Sequence, residues 1–184
     1  MANAPKHRKN LVQTAMRLFR EQGYASTGLQ QILNQSGAPR GSLYHYFPGG
    51  KEALGEAAVT LAGGLVDEML RELAARHPHD ARAFVQGYCK TMAGWMRDSG
   101  FQSGCPIATT ILETVPRSTA MTRVGEAVLD TWVDTIAGVF VGSGQPKRQA
   151  RDNAQFLIAA IEGALVLARI RRSERPILAI AKFF

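Results

Sequence analysis

The amino-acid sequence predicts an all-α protein, with a short three-helix unit at the N-terminus and a longer helical body behind it. Three observations support this. Apolar residues recur at helical spacing along nearly the whole chain, and few segments combine β-branched residues with strict alternation. Glycine and proline fall between the periodic segments, where breaks are needed. The excess positive charge is gathered at one end.

The elements follow in order. Leu11, Ala15, Leu18 and Phe19 stand at i, i+4, i+7 and i+8, which predicts a first helix over about 7–22, ended by Gly23. Thr27 is placed to cap a short second helix with Leu29, Ile32 and Leu33 on its inner face. Gly37 ends that helix, and Pro39 suits the first turn of a third carrying Leu43 and Phe47 inward. Pro48-Gly49-Gly50 breaks the chain before a long fourth helix over about 51–76. Gly63 and Gly64 in its middle indicate close packing on another helix, or else a bend. Asp80 caps a fifth helix running to about Asp98, and Ser99–Pro106 is a loop. A short helix near Ile107–Val115 stops before Pro116, and Ser118 opens a longer one to about Val141. The turn Gly142-Ser143-Gly144 leads to a helix over about 147–172, and Pro176 precedes a short helical tail.

Composition narrows the function. The chain has 184 residues, 46% hydrophobic and 20% charged, which suits a globular protein with a sizeable core. Its longest uncharged run, Gln22–Pro39, is too polar to span a membrane, and Met1–Asn10 is polar and basic with no apolar signal segment after it. A cytoplasmic location and no membrane partner are expected. The formal net charge is +7. Lys6, Arg8, Lys9, Arg17, Arg20, Arg40 and Lys51 are opposed by Glu21 alone through residue 51, so nearly all of the excess sits in the first quarter. A basic segment on a near-neutral body points to a polyanion, most often nucleic acid.

The first three helices have helix-turn-helix proportions, with Ser36-Gly37-Ala38 as the tight turn. In such a unit the second helix of the pair enters the major groove of DNA. Leu43 and Phe47 anchor this helix, leaving Arg40, Gly41, Ser42, Tyr44, His45 and Tyr46 as DNA-binding candidates. The aromatic and His side chains are compact donors to phosphate, while Arg40 suits a bidentate contact to guanine. Lys51 and the free N–H groups opening the fourth helix form a phosphate clamp, and Thr27 offers a hydroxyl on the other flank.

The run Gly37-Ala38-Pro39-Arg40-Gly41-Ser42-Leu43-Tyr44-His45-Tyr46-Phe47, followed by Lys51-Glu52-Ala53-Leu54, resembles the signature of the TetR/AcrR family of transcriptional regulators. Phe19, Gly23, Thr27 and Ile32 match as well. Phe47-Pro48-Gly49-Gly50-Lys51, Gly104-Cys105-Pro106-Ile107 and Glu162–Arg169 are similar to the LmrA/YxaF-like subgroup. Leu33 and Pro39 depart from the usual small and capping residues. The resemblance implies a DNA-binding head over 1–52 and a C-terminal ligand-binding and dimerisation domain over 53–184. It implies a homodimer on a palindromic double-stranded DNA operator, acting as a repressor released by a small-molecule effector that is apolar or aromatic.

Phe84, Met92, Trp95, Met96, Phe101 and Trp132 are the ligand-binding candidates, though each taken singly reads more readily as ordinary core. The 147–172 helix is apolar over an arc wide enough to bury two sides. Val128, Ile136, Phe156, Ala160, Gly163, Ala164 and Leu167 are therefore candidates for a four-helix dimer interface. Cys89 and Cys105 are too few for a disulfide framework; as a pair they leave open a redox-responsive regulator. His77-Pro78-His79 lacks a third ligand, so no metal is expected, and no cofactor. No catalytic motif is visible, which argues against an enzyme. A helical carrier or enzyme with a degenerate head is the remaining alternative.

Overall fold

A computed structural model describes residues 4–184 of the chain. Residues 1–3, the start of the basic stretch Met1–Asn10, and the side chains of residues 4, 5 and 106 lie outside that description. Among the described residues the order is α1 (Ala4–Gln22), α2 (Leu29–Ser36), α3 (Arg40–Tyr46), α4 (Gly50–Arg76), α5 (Ala81–Asp98), α6 (Pro106–Thr114), α7 (Thr119–Gly142), α8 (Lys147–Arg171) and α9 (Arg175–Ile180). The chain forms two compact units, one of residues 1–64 with 106–128 and one of 65–105 with 129–184. The division falls inside α4 and inside α7.

In the first unit α1 packs on α2, α3 and α6. Its core is Leu11, Val12, Ala15, Leu18 and Phe19 of α1, Ile32 and Leu33 of α2, Leu43 of α3 with Phe47 just after it, and Leu54 and Ala58 of α4. These are the residues whose spacing marks one face of each helix. Gly37 ends α2 at φ 65°, in the left-handed region where a Cβ is costly. Thr27 does not cap α2 as its position suggests. Gly28 takes the N-cap, and the buried Thr27 hydroxyl donates to the carbonyl of Gly23 at 2.7 Å.

The second unit assembles the end of α4, α5, the end of α7, α8 and α9. Here α9 packs on α8 and α5, and α5 on α8. Phe84, Tyr88, Met96, Trp132, Ile136, Phe140, Leu157, Ile161 and Ile177 are among its most buried side chains. Asp80 caps α5 by accepting from the Ala83 N–H at 2.9 Å. In the first unit, Ser118 does the same for α7 by accepting from Met121 at 3.0 Å. Pro176 lies within the first turn of α9 rather than ahead of it, where its missing N–H costs no helical bond.

The two mid-helix glycines of α4 differ. A Cβ on Gly63 would meet both Cγ atoms of Val128 at 2.6 Å, whereas nothing lies within 4 Å of a Cβ on Gly64. Gly63 is therefore a packing requirement and Gly64 is not. Gly63→Val should destabilise the protein by about 1–3 kcal/mol through overpacking. Gly64→Ala should stabilise it by up to about 1 kcal/mol by helix propensity. Urea unfolding of both variants checks the pair.

Candidate nucleic-acid interface

The seven residues of α3 are too few to form a helix unaided. Leu43 at 0% exposure and Phe47 at 3% fasten it to the head core. Burying each contributes about 2 kcal/mol. The turn feeding it is closed by Ser36, whose hydroxyl donates to Leu33 O and accepts from the Ala38 N–H. With Leu43 and Phe47 inward, Arg40, Gly41, Tyr44 and His45 are exposed and form one outward face. Tyr44 is 60% exposed, an apolar ring with no role in the core. Nothing lies within 4 Å of a Cβ on Gly41, so the fold itself does not require glycine there. A bare backbone on an outward face suits close approach to a ligand.

The other candidates are placed differently. Ser42 is partly buried, and the partly buried Tyr46 ring packs against the head core, edge-on to His45 at 4.9 Å. Thr27 is buried with its hydroxyl engaged, so it presents no donor to a phosphate. Lys51 lies 4.5 Å from the centroid of the Tyr24 ring and donates to the carbonyl of Ala25 at 3.3 Å. Desolvation by burial lowers its pKa, opposed by the nearby Glu113 carboxylate. It braces the α1–α2 turn from the start of α4.

That brace includes a residue that the sequence reading did not single out. Glu113 of α6 accepts from the N–H groups of Tyr24 at 3.2 Å and Ala25 at 2.6 Å. A Cβ on Gly23, which has φ 89°, would fall 2.5 Å from Glu113 Oε1. The glycine thus lets the carboxylate reach the turn. Glu52 accepts from the Ser118 hydroxyl, a second tie between the head and the α6–α7 segment of the same unit. A sequence separation of 89 residues hides the Glu113 contact from any local pattern.

In the second unit, Phe84, Met92, Met96 and Trp132 are buried, Phe101 is partly buried at φ 62°, and Trp95 is 37% exposed. Of the interface candidates, Phe156, Gly163 and Leu167 are exposed, and Ala160 and Val128 are partly buried. Ile136 and Ala164 are interior to the protomer and offer no surface to a partner. Ala164 turns inward because one residue is about 100° of helix past Gly163. The exposed set continues through Ala159, Val166 and Ile170, making an apolar stripe along α8 at helical spacing.

Cys89 and Cys105 are both buried and are not joined in a disulfide. Burial pushes the Cys89 thiol up to about 11, which keeps it in its unreactive protonated form. Cys105 hydrogen-bonds to the side chain of Glu162, whose pKa is raised chiefly by desolvation despite that bond. The buried Tyr88 is raised too, by desolvation first and then by Glu162. Among the described residues no group of three or more His, Cys, Asp or Glu is placed to hold a metal ion.

A helix-turn-helix head with an exposed helix face, joined to a larger helical body, is the arrangement of a DNA-binding regulator. Comparison with known proteins gives its family. Residues 11–58 match the model for bacterial regulatory proteins of the tetR family, and residues 81–183 match the LmrA/YxaF-like transcriptional regulator C-terminal domain. The chain is 32% identical over 182 residues to the HTH-type transcriptional regulator YxaF of Bacillus subtilis, covering 99% of this chain and 95% of that one. It is 35% identical over 175 residues to an HTH-type transcriptional regulator of Mycobacterium tuberculosis, covering 92% and 88%. A solved regulatory protein TetR from Rhodobacter sphaeroides superposes with a TM-score of 0.84 at 21% identity, covering 95% of each chain. The chain belongs to the TetR family of transcriptional regulators, with an LmrA/YxaF-like C-terminal domain.

Two predictions follow from the local chemistry. Gly41→Ala should leave stability unchanged or raised by up to about 1 kcal/mol while weakening DNA binding, measured by thermal melts and duplex titration. A folded variant with undiminished binding would remove Gly41 from the interface. For Glu162, the folded carboxyl holds its proton more tightly than the unfolded one. Its contribution therefore favours folding below the ordinary carboxylate range and is lost as pH rises through the raised folded value. Glu162→Gln should show a smaller loss of stability than the parent as pH rises above the ordinary carboxylate range, measured by urea unfolding.

Proposed function

We propose that this chain is a dimeric repressor that reads a palindromic operator with α3 and is released by a small apolar or aromatic effector. The observation that carries this reading is the outward face of α3, with Arg40, Gly41, Tyr44 and His45 exposed over two buried anchors. Arg40 makes a bidentate contact to a guanine in the major groove, and Tyr44 donates to a phosphate. His45 and the N–H groups opening α4 add phosphate contacts. Lys51 acts through the α1–α2 turn as well as through its charge.

The dimer forms through the α8 stripe of Phe156, Gly163, Val166, Leu167 and Ile170. Composition alone would let α8 cross a membrane, with a mean hydropathy of 1.4 over an 18-residue window that is only 39% buried. The unburied apolar part is what a second subunit covers, since helix pairs from two chains make a four-helix interface. The effector acts through α6. A shift of α6 carries Glu113 and pulls the α1–α2 turn, re-aiming the reading helix that packs beside it. Two heads out of register cannot both engage, so affinity falls steeply. The protein works in the cytoplasm, where its DNA lies. A redox response through Cys89 gains no support from a buried thiol whose pKa is pushed up to about 11.

Selection of bound sequences from a random duplex library at two salt concentrations tests the reading. It should yield a palindrome with half-sites about 34–36 Å apart. Absence of any enriched sequence, with binding that vanishes as salt rises, would reduce the head to a polyanion patch. Arg40→Ala should relax preference at one position per half-site by about 1–3 kcal/mol. Tyr44→Phe should weaken all operators alike, by about tenfold. Phe156→Glu with Leu167→Glu should give monomers in sedimentation; an intact dimer would place the interface elsewhere.

A further inference from the structure

In the second unit, the seam between α5 and α9 holds a groove of about 370 Å³. It is lined by Arg82, Gln86, Cys89 and Lys90 of α5, by Leu178 of α9, and by Ala181 and Lys182 just beyond α9. The four α5 residues stand at i, i+4, i+7 and i+8, on one helix face. Buried Cys89 and partly buried Ala181 form the floor, and the Cys89 thiol meets the Ala181 backbone. Leu178, 40% exposed, is an apolar wall. Arg82, Lys90 and Lys182 form an exposed cationic rim.

No carboxylate lines this groove. Elsewhere in the same unit four arginines find acids: Arg71 pairs with Asp67, Arg76 with Glu72, Arg97 with Asp98 and Glu174, and Arg151 with Asp130 and Asp134. Among the described residues the side chains of Arg82, Lys90 and Lys182 have neither an ion pair nor a hydrogen bond. Three like charges set around a concave apolar floor repel one another and focus a positive potential into the groove. An anion seated there is attracted by all three, and the floor is left for an apolar group. The volume lies within the range of small-molecule sites.

We infer that the α5–α9 groove binds a small amphipathic anion, with an acidic head at the Arg82–Lys90–Lys182 rim and a short apolar body against Cys89, Leu178 and Ala181. None of the six side chains expected to line an aromatic effector site lines this groove. The site is therefore additional to that reading and stands or falls independently of it.

Isothermal titration of the full chain with decanoate, decanol and inorganic phosphate tests the site. Decanoate should saturate at one per chain. Decanol, which lacks the charge, and phosphate, which lacks the apolar body, should each bind at least about tenfold more weakly. The triple variant Arg82→Gln, Lys90→Gln, Lys182→Gln should lose at least about tenfold in decanoate affinity while melting as the parent does, since all three side chains are exposed. Decanol binding as tightly as decanoate would leave only an apolar surface. Phosphate binding as tightly would leave only a charged patch. Undiminished decanoate binding by the triple variant, or no saturable binding by the parent, would also overturn the site.

Discussion

The head depends on the burial of two side chains. Leu43 lies within a helix of seven and Phe47, four residues on, caps its end; both enter the core built by α1, α2 and α4. A helix this short has no stability of its own, so its existence and its orientation are both set by those anchors. Once they are inward, the helical period dictates what faces out. Arg40, Gly41, Tyr44 and His45 are on the surface because 43 and 47 are not. A cavity at Leu43 would cost about 2–5 kcal/mol and would be felt first as loss of the reading face.

The surroundings of that helix tie the head to α4 and α6 of the same unit. The α1–α2 turn is held through backbone groups, by Glu113 from α6 and by Lys51 from α4. Gly23 is required because any side chain there would occupy the place of the Glu113 carboxylate. A ligand-responsive regulator needs such a connection, because an effector changes affinity only if it favours one head position over another. The charge distribution serves the same division. The basic excess lies in the head, and the body is near neutral.

Much of this is legible in the sequence. The apolar period in α1, the turn at Gly37 and the anchors of α3 are local signals, and local signals survive into the fold. The family resemblance carried by Gly37–Phe47 and Lys51–Leu54 agrees with both matched family models. What escapes is long-range or rotational. Thr27 has the right type for a cap, but its hydroxyl turns back to Gly23 and leaves Gly28 at the N-cap. Lys51 reads as a free clamp, yet Tyr24 and Ala25 hold it. Glu113 looks like one more surface carboxylate until the fold brings it to residues 24 and 25. On α8 the wide apolar arc announces two buried sides without saying which residue serves which. The structure turns Ala164 inward and leaves Val166 and Ile170 outside. The α5–α9 groove joins residues about ninety positions apart, so no window of sequence displays it.

The central claim is that α3, held by Leu43 and Phe47, reads the major groove through its outward face. Dimethyl sulfate protection of guanine N7 on a bound operator measures this most directly, because N7 lies in the major groove. The account predicts two protected patches about one helical turn apart, with protection at one guanine per half-site lost in Arg40→Ala. Binding with all guanine N7 atoms left reactive, in parent and variant alike, would contradict it.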